Sequence, residues 1–504
     1  MDGLGFGSRG PGPGSVSGGA LLPFALVALL LAGCVSGCGT PAPSSSASPG
    51  ASPSLPGATG DSPVIPGVPS LAAALRDAVD ADAMLADLAA LESLTLENGG
   101  ARAAGGDGYA AAAEWVADQL RAAGYDVTLD SVFVPLFAQT GPGELEILAP
   151  GAPALEGPRD FKAMLLSPSG TVTAPLFALG FDPDAKPEDR NGIGCDSEAW
   201  ADVPAGAIVL VQPGPCRARQ TVVNAQAAGA VALISSYPMW GPDQVRRPTL
   251  LDPEGLTIPV VAVTRDAGLA LADAAAASHD VRLSITTTTE MRPSDNVIAE
   301  IPGGDPDHVL MLGAHLDSAV DGPGINDNGS GAAAVLEIAR RLAVLSEGEP
   351  GWKVRVAFWT GEEIGLWGSV QYVDSLGDAD RRAIGAYLNL DMIATPNGAR
   401  QVYDAAALKS ASSSTIERLF GQAFDGEGLT WEKADYGGAS DHYRFDELGI
   451  PVGGIGSEPG PDDRCYHLSC DTIDGVDPVL LEQMTRAAAW VTGYLASGGQ
   501  EPMP

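Results

Sequence analysis

The chain has 504 residues, 45% of them hydrophobic, and a formal net charge of −36. That length can hold about three domains, each with its own core. So large a negative charge repels other polyanions, which sets aside nucleic acid and anionic membrane surfaces as binding partners.

In chain order the first feature is an export pattern. Arg9 supplies a sparse basic region, and "ALLPFALVALLLAGC" is an apolar run too short to serve as a comfortable membrane anchor. Its end, "LAGC" (Leu31 to Cys34), resembles a bacterial lipoprotein signal, which implies that Cys34 is lipidated and becomes the mature N-terminus. "VSGC", ending at Cys38, is a weaker copy; an ordinary secretory signal is the alternative. Residues 1–34 are therefore read as a signal peptide. Residues 35–68, rich in Pro, Ser, Gly and Ala, can bury almost nothing and are read as a flexible linker. The expected location is outside the cell and tied to its membrane by a lipid anchor only, or secreted if the cysteine is not used. A monomer is favoured. In an oxidising compartment the four remaining cysteines read as two disulfides, Cys195 with Cys216 and Cys465 with Cys470.

Helical spacing of apolar residues begins near Ser70 in "LAAALRDAVDADAMLADLAALESL". A Gly-rich turn, "ENGGARAAGGDGY", follows, and then a helix, a Gly stop and a strand across "GYAAAAEWVADQLRAAGYDVTLDSVFV". Between residues 132 and 292 the character changes to strand-like runs broken by Pro and Gly, with one helix in "ARQTVVNAQAAGA". From Cys195 to about Thr264 this part resembles a protease-associated domain. It holds no cluster of residues suited to chemistry and is expected to act as a lid or substrate-excluding module.

The last part alternates again. "NVIAEI", "HVLMLGAH", "KVRVAFWTGEE", "AIGAYLNLDMI" and "PVGGIGS" are short apolar runs rich in β-branched residues, separated mostly by helical stretches. Such alternation predicts an α/β fold, a mostly parallel or mixed sheet covered on both faces. Ligands of such sheets bind beyond the carboxyl ends of the strands. His315 and Asp317, Asp327, Glu362 and Glu363, Asp391, and His467 follow five successive segments and so reach one edge. Two imidazoles with several carboxylates suit zinc. They are too many for one tetrahedral ion with an open position and fit two ions if one carboxylate bridges. Asp317, two residues from His315, could accept a proton from its second ring nitrogen. Ser440, Asp441 and His442 are consecutive and cannot easily converge as a triad; no GxSxG elbow surrounds them. His442 is left open between a supporting and an ordinary structural role. His279 and His308 read as surface residues, Trp359 and Trp367 as core.

"GAHLDS", "GPGINDNGSG", "TGEEIGLWGS", "YLNLDMI" and "CYHLSCDT" together resemble the co-catalytic zinc peptidases of the secreted bacterial aminopeptidase type, a family that also contains glutamate carboxypeptidases. The resemblance implies a zinc exopeptidase domain made of residues 69–131 and 293–498, interrupted by the protease-associated insert at 132–292. It implies two Zn²⁺ per chain, with an additional Ca²⁺ left open. Asp327 would bridge the ions; His315 and Asp391 would hold one, Glu363 and His467 the other. Glu362 would be the general base, acting on a metal-bridging water, Asp317 the orienter of His315, and Tyr466 the donor to the oxyanion. Sequence by itself does not decide which of the adjacent glutamates is the ligand. The Cys465–Cys470 pair would pin the loop that carries Tyr466 and His467. The expected function is release of N-terminal residues, apolar ones favoured, from peptides. A carboxypeptidase or dipeptidase is the alternative within enzymes, and a non-catalytic surface binding protein the alternative outside them. The nearby acidic residues Glu362, Glu363, Asp391, Asp441, Asp462, Asp463 and Asp471, against only Arg444 and Arg464, favour a substrate end that is a protonated amine.

Overall fold

The structure, a computed structural model, describes residues 70–182, 193–212, 214, 216–236, 244–245, 247–346, 350–457 and 463–499. Cys34, Cys38, the linker at 35–68 and Asp462 lie outside these residues.

An eight-stranded sheet organises the enzyme-like part. Its strands lie in the order 126–139, 287–300, 352–359, 305–315, 384–391, 452–456, 401–403 and 432–434. The four middle strands, from 352–359 to 452–456, are parallel, and the strands flanking them on either side run antiparallel. Strand Asp305–His315 shows why the apolar runs are continuous rather than alternating. Leu310, Leu312 and Ala314 enter the core on one face, Val309 and Met311 that on the other. Each such side chain stabilises by about 1.5–3 kcal/mol when fully buried. Helices Ala81–Glu97, Asp107–Ala122, Gly331–Leu345 and Pro478–Ala496 cover the first face; Trp367–Ser375 and Tyr443–Glu447 cover the second.

The chain leaves strand 305–315 to one side, into strand 352–359, and then crosses to the other side, into strand 384–391. The carboxyl end of strand 305–315 is thus a switch point, where a parallel sheet opens a crevice. Gly331 lets the next helix start close against this crevice. A Cβ there would lie 2.4 Å from both Asn328 Oδ1 and the Leu390 carbonyl.

The helix expected from Ser70 is two helices, Leu71–Asp77 and Ala81–Glu97, because Asp80 caps the second one by accepting from the Ala83 amide at 3.1 Å. The inserted part has its own seven-stranded sheet, in the order 144–147, 280–285, 170–179, 208–211, 232–236, 260–263 and 161–163. The expected helix forms as Ala218–Ala227. Its Asn224 donates to the Gly194 and Cys195 carbonyls, tying the helix to the turn closed by the Cys195–Cys216 disulfide. The boundaries expected at 132 and 293 fall inside a continuous ribbon in which Asp126–Gln139 pairs with Thr287–Glu300 along its whole length. The insert's own sheet begins at Glu144 and ends at Ile285. Both strands run past the expected boundaries without a turn, so no turn in the sequence marks the passage to the insert.

Candidate metal centre and cleft

The five loops expected to meet do meet at the switch point. His315 ends its strand and is buried. Its Nε2 lies 3.4 Å from Asp327 Oδ1 and 3.3 Å from Asp391 Oδ1. His467 Nε2 lies 3.0 Å from Asp327 Oδ2 and 3.0 Å from Glu363 Oε2. The two oxygens of Asp327 therefore face different imidazoles. The donors fall into two groups able to hold a metal ion, His315–Asp327–Asp391 and Asp327–Glu363–His467, with Asp327 common to both.

Electrostatics test whether cations fit here. Burial alone would push both imidazoles down. The Asp391 and Glu362 carboxylates beside His315, and the Glu363 and Asp327 carboxylates beside His467, outweigh it and raise both well above the usual range. The cluster thus seeks positive charge. Glu363 Oε1 is buried without a hydrogen-bond partner among the described residues, a state that a metal ion would relieve. The nitrogen and oxygen donors suit zinc.

Glu362 stands apart from both groups, its Oε2 4.0 Å from His315 Nε2. Burial, with the charges of Asp391, Glu363 and Asp441 acting in the same direction, raises its carboxyl well above the ordinary range. Tyr466 stacks on His467, ring centroids 3.8 Å apart, and both line the cleft. His467 has φ 59°, in the left-handed region that a β-carbon disfavours. The Cys465–Cys470 disulfide closes the turn around it, and Asp463 accepts from the Cys465 and Tyr466 amides at 2.9 and 3.1 Å. Strain at this residue is held by its neighbours.

Asp317 differs from expectation. His315 Nδ1 is 3.1 Å from the Asp317 main-chain carbonyl and 3.7 Å from its carboxylate. The carboxylate accepts instead from the amides of Glu362 and Glu363, at 3.1 and 3.2 Å. Asp317 holds the glutamate pair, and its carbonyl orients the histidine. Two further residues act likewise, Asp471, which the sequence did not single out as a support, and Ser440, in the Ser-Asp-His stretch that in the resembled family lies near the site as support. Asp471 accepts from the Asn326 and Asp327 amides at 2.8 and 3.0 Å. Ser440 donates to Asp391 Oδ2 at 2.5 Å and is itself held by Asn389. His442 bonds the Gly437 carbonyl and sits edge-on to Tyr403, so it supports the loop. His308 is half-buried against Trp352 and pairs with Asp305; Trp359 is buried, as expected.

The cleft has a volume of about 650 Å³ and is lined from both sheets. The insert contributes Leu165, Arg217, Arg247, Thr249 and Leu251. Arg444, expected near the site, pairs with Asp374 instead, and among the described residues the cations lining the cleft are Arg217 and Arg247. Arg247 grips Asp321 with two bonds of 2.8 Å, which joins the insert to the loop leading into Asp327.

Comparison with known proteins agrees with this geometry. Residues 296–492 match peptidase family M28, and residues 172–271 match the PA domain. An aminopeptidase of Pseudomonas aeruginosa is 34% identical over 432 residues, covering 81% of this chain and 79% of the relative. A probable lipoprotein aminopeptidase of Mycobacterium tuberculosis, LpqL, is 34% identical over 469 residues, covering 87% and 90%. The solved aminopeptidase from Aneurinibacillus sp. strain AM-1 shares the fold, with a TM-score of 0.68 at 24% identity, covering 84% of this chain and 96% of that one. An M28 signature, an inserted PA domain and a buried cluster that could hold two metal ions thus coincide in one molecule, and the chain belongs to peptidase family M28, whose members are metal-dependent peptidases.

Proposed function

We propose that this peptidase removes N-terminal residues from peptides outside the cell membrane, apolar residues such as leucine being preferred, with two zinc ions per chain. The observation that carries the reading is Asp327, whose two oxygens face the imidazoles of two separate donor groups. His315 and Asp391 would hold one ion and Glu363 and His467 the other, with Asp327 shared. Bound there, paired ions lower the pKa of water and polarise the scissile carbonyl. Glu362, which belongs to neither group, takes the proton from the attacking water and delivers it to the leaving amine. Tyr466 donates its hydroxyl to the oxygen that gains charge as the tetrahedral centre forms. Asp317 and Asp471 keep the glutamate pair and Asp327 in place through main-chain amides, so the residues need little reorganisation during the reaction.

The carboxylates of the cleft suit the protonated amine of a chain terminus, and the relatives named as aminopeptidases point the same way. The insert forms one wall and restricts access to chain ends and short peptides. One observation favours a second reading, a carboxypeptidase or dipeptidase: Arg217 lines the cleft and could hold a free carboxylate. Attachment through Cys34 to the outer face of the membrane is supported by the relative named as a lipoprotein. The deciding experiment compares leucyl-p-nitroanilide with its N-acetylated form and with an amine-blocked dipeptide ending in glutamate. Faster hydrolysis of the blocked substrates would replace the aminopeptidase reading by the second one. Activity that survives complete removal of metal by a chelator would overturn both.

A further inference from the structure

The Gly-rich turn "ENGGARAAGGDGY" contains a side chain that the chemistry above does not use. Arg102 is fully buried, 0% exposed. Its guanidinium meets main-chain carbonyls only: Nε donates to Leu316 at 2.8 Å, Nη2 to Gly324 at 2.7 Å, and Nη1 to Pro323. Its main chain is paired as well. The Arg102 amide donates to Ser318 Oγ at 2.8 Å, and the Ser318 amide donates to the Arg102 carbonyl at 3.1 Å. All of these partners lie between residues 316 and 324. That loop begins one residue after His315 and ends three before Asp327.

Burying an arginine without a carboxylate partner is costly in general. Here the compensating field comes from Asp471, Asp317, Asp327 and Glu363, two of them in the donor groups and two holding those donors by their amides. Arg102 does not line the cleft. It touches neither substrate nor donor atoms, yet it spans the loop connecting a donor of one group to the donor shared by both.

We propose that Arg102 is a positioning residue for the metal centre: its planar fork fixes loop 316–324, and so sets the spacing between His315 and Asp327 on which loading of both ions depends. A lysine has one ammonium and no fork, so it keeps the charge and loses the simultaneous grip on three carbonyls. The inference rests on the two-zinc reading above and is tested apart from it. Zinc affinity of wild type, Arg102→Lys and Ser318→Ala is measured by competition with a chromophoric chelator, alongside thermal melting of the chelated proteins. Outer-shell changes commonly cost 10–100-fold in metal affinity. Arg102→Lys is expected to fall in that range, with both binding steps weakened together because Asp327 belongs to both groups. Ser318→Ala is expected to move the same way by less. If Arg102→Lys melts lower but binds both zinc ions within twofold of wild type, the arginine is only structural and the proposal is overturned. If Arg102→Lys does not fold, a Ser318→Ala affinity equal to wild type overturns it. Wild type that binds no zinc in this assay overturns the two-zinc reading itself, a result distinct from either of these.

Discussion

Glu362→Gln separates the base from the ligands. The amide is nearly isosteric and keeps the main-chain bond between the Glu362 amide and Asp317 Oδ1 at 3.1 Å, so the loop and its neighbour Glu363 stay in place. Glu362 lies outside both donor groups, so metal content should stay at two zinc ions per chain. What is lost is the proton acceptor. General-base catalysis contributes roughly 10²–10⁴-fold, so kcat should fall by about that factor. A loss of that size corresponds to about 3–5 kcal/mol of transition-state stabilisation. KM should change little, because the contact matters in the transition state rather than in the bound substrate. The assay is steady-state hydrolysis of leucyl-p-nitroanilide, with zinc measured by atomic absorption on the same sample. Glu363→Gln is the internal control: Glu363 Oε2 lies 3.0 Å from His467 Nε2, so that variant should lose metal as well as activity. Turnover of Glu362→Gln within tenfold of wild type at full zinc content would refute the assignment of the base. Loss of a zinc ion from Glu362→Gln would instead make it a ligand.

Three other outcomes are expected. Asp327→Ala should lower zinc content at both sites together, and a variant that still holds two ions at full occupancy would remove the bridging role; Ser440→Ala, which releases only Asp391, should weaken one site more than the other in the same titration. Reduction of Cys465–Cys470, or replacement of both cysteines by serine, should lower kcat/KM by tenfold or more, because His467 and Tyr466 lose the closed turn that holds them; unchanged kinetics after verified reduction would show that the turn holds itself. Cys34→Ser should move the protein from the membrane fraction to the soluble one, whereas release by Cys38→Ser alone would assign the anchor to the second cysteine.

The convergence of these side chains was legible because sheet edges obey a simple rule. In a parallel sheet the residues just past each apolar run converge, and His315, Asp327, Glu363, Asp391 and His467 each follow such a run or the turn after it. What stayed hidden acts through the main chain. An amide gives no sign in sequence of the carboxylate it bonds, so the role of Asp471 under Asp327 could not be read, nor could that of Asp317 under the glutamates. Asp317 was expected to serve His315 through its carboxylate, since the two are close in sequence. The local turn presents its carbonyl to the ring instead. Arg102 sat in plain view among glycines, but its partners are more than 200 residues away, and a lone arginine in a turn reads as exposed. The one available signal was its position among the glycines and alanines of residues 99–106. The insert's border was hidden for another reason, since the fourteen-residue strands of the ribbon run past both expected boundaries without a turn.

The same supports explain how so much negative charge can share one crevice. Asp317 and Asp471 each accept two main-chain amides, and Ser440 donates to Asp391. Every one of these bonds stabilises a carboxylate and so offsets part of the repulsion among the donors. The offset is partial, as the raised imidazoles and the raised Glu362 carboxyl show. Full neutralisation by nearby arginines would have produced a quiet structural cluster with no appetite for cations. Here Arg102 spends its hydrogen bonds on carbonyls and Arg247 spends its fork on Asp321, so neither forms an ion pair with a donor. The fold thus fixes the carboxylates in position without neutralising them, as the proposed metal ions would require. On the proposed reading, that division, geometry from the main chain and charge from bound metal, would let Glu362 stay beside the centre as a base, outside both donor groups.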